Sequence, residues 1–282
     1  MEKEIETKKE RHPIRTLFFI TILLITLTVV YGLFLGNSGM IYKEYDINTS
    51  IPESFNNLKI AHFSDILYND EKDIEKVKNA VERINNKKVD LIVFTGGLID
   101  KNYKLNEKEM SLIANELKKL KCTYGKYYVS GSEDKEIQVY DTIMQASDFI
   151  ILNDKADIIY SKNKEGLLLV GLDSKSNLAF LKDVLAGKEN MFKIVLFHES
   201  DVMDDIKDYN FNIALSGNSL NGQINIPLVK EIFLPKDSKN YFKPYYKVNN
   251  TDLYISSGIG TRSFDFRLFN KPSVSIYVLK KM

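Results

Sequence analysis

Apolar and polar positions divide this chain into two unequal parts. Charge is absent from Thr16 through Tyr42, and the run TLFFITILLITLTVVYGLFL, Thr16 to Leu35, is almost wholly apolar. At about 1.5 Å per helical residue such a run spans roughly 30 Å, one bilayer hydrocarbon core, which predicts a membrane-spanning helix. A cleaved signal peptide is the competing expectation. Its apolar stretch is shorter and ends in small residues at a cleavage site, which GNSGMIY supplies poorly, so an uncleaved signal-anchor is favoured. Lys3, Lys8, Lys9, Arg11 and Arg15 precede the run and only Lys43 closely follows it. The positive-inside rule then places the N-terminus in the cytoplasm and the rest of the chain outside.

Beyond a polar stretch from Gly36 to Asn57, read as a juxtamembrane linker with an edge strand near Tyr45 to Ile47, the pattern changes to short β-rich runs alternating with helical stripes. Strands are predicted at Leu58–Ser64, Val89–Thr95, Lys126–Ser130, Asp148–Leu152, Gly166–Gly171, Phe192–Phe197, Phe211–Ser216, Asp252–Ser257 and Ser273–Leu279, all rich in branched or aromatic residues. Several are apolar nearly throughout, as in sheets covered on both faces. Ile74, Val77, Val81 and Ile84 fall on one helical stripe, and Met110, Ile113, Leu117 and Leu120 on another. The architecture expected is α/β, with helices packed outside sheets.

Composition narrows the chemistry. With 39 Lys+Arg against 38 Asp+Glu the net charge is +1, so no global field steers the chain to nucleic acid. One cysteine, Cys122, excludes an intramolecular disulfide framework and reads as a small core hydrophobe. Three histidines, His12, His62 and His198, rule out a histidine-rich centre. His12 sits in the short N-terminal tail, where solvation is its expected role. His62 alternates with Asp65 along its strand and so faces away from it, which makes it structural.

Ligands of α/β folds gather at the carboxyl ends of strands, so the residues just past each strand carry the candidate chemistry. They are Asp65-Ile66-Leu67, Gly96-Gly97-Leu98-Ile99-Asp100, Gly131-Ser132-Glu133-Asp134, His198-Glu199 and the run GNSLNGQI from Gly217 to Ile224. In this order the five junctions resemble those of the calcineurin-like metallophosphoesterases, especially the membrane-anchored bacterial branch associated with phosphodiester hydrolysis. There the junctions read D-x-H, G-D-x-x-D, G-N-H-D, a lone His and G-H-x-H-G-G-Q-I, and together they bind two divalent metals. The stretches IPESFNNLKIAHFSD, VDLIVFTGGLID and YISSGIGTRSFDFRLFNKPSVSIYVL are similar to the family as well, so the likeness runs from about Ile51 to Lys281. The resemblance implies an αββα sandwich of two mixed sheets, here preceded by one transmembrane helix. The layout expected is a cytoplasmic tail over 1–15, the helix over 16–35, the linker over 36–57 and a metallophosphoesterase-like domain over 58–282.

Carried over residue by residue, the resemblance implies a dismantled metal site. Asp65 matches the first metal-binding Asp, but Leu67 stands where the family has His. Gly97 replaces the Asp that bridges both metals, Ser132 the metal-binding Asn, and Glu133 the His that assists the leaving group. His198 matches the isolated metal-binding His, while Asn218 and Leu220 replace the two His of the last motif. Two dications about 4 Å apart repel by roughly 16 kcal/mol at an effective dielectric near 20, and Gly97 offers no bridging charge to offset that. Gly96, Gly131, Gly217 and Gly222, matching the family's turn positions, are all present.

These losses imply a catalytically inactive, membrane-anchored pseudoenzyme, serving as a binding or scaffold module without a cofactor and with a protein or lipid head-group partner. The alternative is a hydrolase with a rebuilt one-metal or metal-free site, using Asp65, Glu133, Asp134 and His198 on a lipid or envelope phosphoester; a divalent metal enters only there. In that reading Glu133, its pKa raised near Asp65, is the candidate acid or base. A third expectation has Asn218, Ser219, Asn221 and Gln223 lining a rim with Arg262, a hydrogen-bonding pocket for a phosphate or sugar head group. Against these stand plainer readings. Asp65 caps its turn, His198 is a buried hydrogen-bonded imidazole, Asp100 and Asp134 hold loops, and the rim is an ordinary polar loop.

Overall fold

The computed structural model describes residues 13–137, 139–226 and 234–282. His12 and the basic residues Lys3, Lys8, Lys9 and Arg11 lie outside the described residues. Helix α1 (Pro13–Val30) continues into a wider π-helical turn at Tyr31–Leu35, so the apolar run forms one rod of 23 residues. Proline at its first turn fits, since the missing N–H would lack a helical partner there anyway. Leu17 and Phe34 on this rod are 65% and 69% exposed. Apolar surface of that extent is costly in water and at ease in hydrocarbon, which makes the rod a candidate membrane span.

Two six-stranded mixed sheets follow. The first has the order β1 (Ile41–Thr49), β12 (Ser273–Lys281), β2 (Leu58–Phe63), β3 (Leu91–Phe94), β4 (Lys126–Tyr128) and β5 (Phe149–Ile151). The second has the order β10 (Tyr245–Val248), β11 (Thr251–Ile255), β9 (Ile213–Ser216), β8 (Phe192–Leu196), β7 (Gly166–Gly171) and β6 (Lys155–Tyr160). Strands β2 to β5 run parallel, as do β7, β8, β9 and β11, whereas β12 is antiparallel to β2.

Side-chain alternation sorts the apolar residues into three layers. Ile60, Leu91 and Val93 of the first sheet meet Leu169, Ile194 and Leu215 of the second in the central layer. On the outer face of the first sheet, Val77, Val81 and Ile84 of α2 (Ile74–Asn86) and Ile113 and Leu117 of α3 (Glu107–Lys118) bury the stripes expected from their spacing. The second sheet is covered by Leu181 of α5 (Ala179–Leu185) and Met203 and Ile206 of α6 (Met203–Ile206). A short α4 (Tyr140–Ala146) completes the first side. The fold is therefore the αββα sandwich, and its parallel strands direct their carboxyl ends to one rim.

The sequence reading differs from the structure at the sheet edges. Within the stretch read as a linker, the strand is not confined to Tyr45–Ile47: β1 runs for nine residues and pairs in parallel with β12 along its whole length. Strands β6 and β10 were absent from the expected set. Cys122 is half-buried at the margin of the core, and burial raises its thiol pKa.

Candidate active site

The loops after β2, β3, β4, β8 and β9 converge on the rim through their own backbones. Asp65 N–H donates to Gly96 O at 2.8 Å, Leu67 N–H to Gly97 O at 2.9 Å and Gly217 N–H to His198 O at 3.0 Å. Asp65, Leu67, Asn218 and Leu220 all hold positive φ, between 48° and 63°. Left-handed backbone costs a leucine about 1–2 kcal/mol, so two such leucines mark loops whose path is set by the frame rather than by local preference.

Asp65 is the centre of the site and is fully buried. Its Oδ2 accepts from the backbone N–H of Asn218 at 3.0 Å and from the Ser64 hydroxyl. Its Oδ1 has no hydrogen-bond partner; His198 Nε2 stands 3.9 Å away and Arg262 Nη2 3.8 Å away. Asp65 thus does more than cap its own turn, because it ties the β2 loop to the β9 loop and leaves one oxygen aimed at two cationic groups. The missing bridge at Gly97 is answered by the same residue. A β-carbon on Gly97 would lie 2.9 Å from Asp65 Oδ1, so no side chain fits there while Asp65 stays in place.

His198 matches its plainer reading in part. Nδ1–H donates to Thr95 O, which fixes the ring and turns Nε2 toward Asp65. The ring passes so close to Gly131 that a β-carbon there would meet it at 2.1 Å, which is the reason for glycine at that position. Burial alone would lower the His198 pKa, but the carboxylates of Asp65, Glu199 and Asp134 outweigh it and raise it. Asp134 holds loops, as expected: Oδ2 accepts from the N–H groups of Gly97 and Gly131, both at 2.8 Å, and Oδ1 from Leu98 N–H at 3.2 Å. Burial still pushes its carboxyl up to about 6, with His198 and the three amides pulling the other way. Asp100 likewise folds its own turn, accepting from Asn102 N–H at 2.8 Å. The backbone of Ser132 ties its loop to the β8 loop, N–H donating to Glu199 Oε1 at 2.7 Å. His62 is buried and structural, Nε2 lying 2.8 Å from Thr95 Oγ1.

Two expectations about the rim are corrected. Glu133 is not a carboxyl of raised pKa beside Asp65. It is bound by Arg262 Nη1 at 2.6 Å and Lys101 Nζ at 3.0 Å; burial raises its pKa, and the two cations more than reverse that, leaving it below the usual carboxylate value. Nor do Ser219, Asn221 and Gln223 line an open pocket. All are buried: Ser219 Oγ accepts from Asn221 N–H, Asn221 Nδ2 donates to Ser257 Oγ, and Gln223 accepts from Arg262 N–H while donating to Phe264 and Phe266 carbonyls. Only Asn218 reaches the guanidinium, Oδ1 accepting from Arg262 Nη2 at 3.1 Å. Leu67 and Leu220 are buried against the closing segment, where β-carbons on Gly260 and Gly258 would meet them at 3.0 and 2.2 Å.

Sequence reasoning missed Arg267. Its guanidinium is fully buried, with Nη2 donating to the carbonyls of Ser257 at 2.9 Å, Gly258 at 3.3 Å and Gly260 at 2.5 Å. Burial lowers its pKa to about 10 while Asp65 draws it up, so it remains charged and balances that carboxylate. Nothing in a lone Arg between Phe266 and Leu268 signals burial; the carbonyl cluster that accepts it is made by loop geometry.

The donor set decides what the site can hold. Among the described residues no group of three or more His, Cys, Asp or Glu side chains is placed to hold a metal ion. Asp65 Oδ1 and His198 Nε2 offer one oxygen and one nitrogen, and the other family ligand positions are the hydrocarbon of Leu67 and Leu220, the bare backbone of Gly97, the neutral hydroxyl of Ser132 and the hydrogen-bonded amide of Asn218. A two-metal centre does not fit this set.

No protein-family model matches the chain. It is 31% identical over 254 residues to the uncharacterized metallophosphoesterase YkuE of Bacillus subtilis, covering 84% of each chain. It is 26% identical to the uncharacterized metallophosphoesterase YkoQ of the same organism, over 91% of this chain and 98% of that one. The phosphodiesterase YaeI of Escherichia coli is 24% identical, over 78% of this chain and 82% of that one. The chain belongs to the metallophosphoesterases. This overturns the expectation of an inactive binding or scaffold module. Relatives matched along most of the chain are named for phosphoester chemistry, and the lost ligands close the two-metal route without closing every route to a phosphoester.

Proposed function

We propose that the chain is a membrane-anchored phosphoester hydrolase with a rebuilt site, in which fixed cations do the work of holding the phosphoryl group. The observation that carries this is the clamp of Arg262 and Lys101 around Glu133, next to Asp65 and His198: the site already holds an anion where the family binds one. A phosphodiester competes with Glu133 for the two cations. Once displaced, Glu133 loses the charges that depress its pKa, and burial carries it toward the range of a general base. Water attacks phosphorus and passes its proton to Glu133. The ester P–O bond breaks, and the leaving oxygen takes a proton from His198, whose pKa burial lowers but the neighbouring carboxylates raise by more. The products are a phosphomonoester and an alcohol.

The substrate in this reading is a lipid or envelope phosphoester. The rod at Pro13–Leu35 supports a single-pass anchor, with a short tail in the cytoplasm and the αββα domain outside it. The test is turnover of bis(4-nitrophenyl) phosphate by the full chain in excess chelator. Hydrolysis that survives chelation and falls by about 10²–10⁴ in Glu133→Gln is expected. Turnover that appears only with added manganese, or none with either, overturns it.

A further inference from the structure

We propose that the segment Thr261 to Phe269 is a seat in the bilayer interface, which sinks Phe264 and Phe269 beside the exit of the helical rod. Outside the rod, the exposed phenylalanines among the described residues are these two, 46% and 62% exposed in one short segment. The other described phenylalanines outside the rod are buried or half-buried, so these two exposed rings mark a surface suited to an apolar phase. That phase is indicated by what holds the segment. Arg267 N–H donates to Gly32 O at 3.1 Å, and β-carbons on Gly32 and Gly36 would fall 2.2 Å from the Phe266 ring and 1.8 Å from Arg267 O. The Phe269 and Tyr31 rings lie 6.1 Å apart, and Asn37 Nδ2 donates to Asp265 at 3.3 Å.

The rod therefore fixes the depth of the segment. Tyr31 precedes the end of the rod by about one turn and the Phe269 ring lies 6.1 Å from it, so Phe269 sits within roughly 12 Å of the level where the rod ends. That is the layer aromatic rings favour, and the head groups occupy about 5–8 Å beyond it. A cleft of about 400 Å³ is lined by Asp100, Asn102, Tyr103, Thr261 and Asp265, chain neighbours of the clamp residues Lys101 and Arg262. Seated this way, the cationic clamp meets phosphoesters carried by lipids in the same membrane. This substrate assignment rests on the hydrolase reading above; the seat itself does not.

The chain contains no tryptophan, which allows a clean depth measurement. Full-length Phe264→Trp and Phe269→Trp variants are reconstituted in phosphatidylcholine vesicles containing lipids brominated near the head of the acyl chain, with Tyr160→Trp on β6 as the distant control. At the 5–10 Å burial of an interfacial side chain, emission of the two segment variants should fall about twofold or more while the control keeps its intensity. Equal emission from all three overturns the seat. Hydrolysis of a soluble ester without quenching also sinks the seat and leaves the hydrolase standing, whereas quenching without hydrolysis of any ester upholds the seat and sinks the hydrolase.

Discussion

Oδ1 of Asp65 occupies the space that a side chain on Gly97 would need, 2.9 Å from the position of its β-carbon. With Asp65 in this position an acid at 97 has no room, so placing one there requires Asp65 to move. Gly97→Asp meets a φ of +76°, a backbone that L residues adopt at a cost, and it drives a second carboxylate into the first. A loss of about 2–5 kcal/mol in urea unfolding is expected, without gain of bound metal by elemental analysis. A variant of unchanged stability carrying stoichiometric manganese would show that the site can still open for a metal.

In the proposed hydrolase, Glu133 is both an internal competitor for the clamp and the general base. In Glu133→Gln the charges of Arg262 and Lys101 are no longer balanced, so inorganic phosphate should bind about 2–5-fold tighter by calorimetry, the scale of one partly exposed ion pair. Turnover should fall at the same time, because the base is gone. Affinity and rate moving in opposite directions separate this residue from one that merely holds a loop. Unchanged phosphate affinity would mean that Glu133 does not occupy the anion position.

What the sequence left illegible follows from where each residue sits. Strands in the sheet interiors show as apolar runs because both faces are covered. The full length of β1, and β6 and β10 altogether, escaped because all three are edge strands in which charged residues such as Lys43, Asp157 and Lys247 interrupt the apolar run. At the site the replaced ligands were readable from position alone, since each loop keeps its register. The charge state of Glu133 was not, because its partners Arg262 and Lys101 lie 129 and 32 residues away in the chain. Arg267 was illegible for the same reason: its partners are carbonyls, which every residue has.

Arg267 and Arg262 should respond differently to truncation. Arg267→Met leaves the carbonyls of Ser257, Gly258 and Gly260 without their shared donor and Asp65 without a counter-charge in a dry setting. Breaking such a buried arrangement costs about 3–5 kcal/mol. Arg262→Met, whose side chain is 21% exposed at the rim, should cost about 1 kcal/mol or less. Arg267→Lys keeps the charge but not the fork, whose Nη1 donates to Asn270 O while Nη2 serves the three loop carbonyls, and should fall near Arg267→Met. Urea midpoints measure all three, and equal effects at the two positions would remove Arg267 from its structural role.

Acid sensitivity should trace to His62. Burial lowers its pKa to about 3, whereas the unfolded chain takes up that proton near 6.5. A group depressed in this way contributes stability above the unfolded value and loses it as pH falls, by about 1.4 kcal/mol per unit between roughly 6.5 and 3. Asp134 works in the opposite sense. Its folded pKa of about 6 lies above the ordinary 3.8, so the folded state holds that proton better and gains from acidification between those values. The two effects offset each other between about pH 6 and 4. His62→Gln keeps a polar partner for Thr95 and removes the titration. Its deficit relative to the parent chain should then shrink by about 1.4 kcal/mol for each unit the pH is lowered below 6.5, read from urea midpoints at matched pH. A deficit that stays constant with pH would mean that His62 is already protonated in the folded chain, against the buried geometry of its ring.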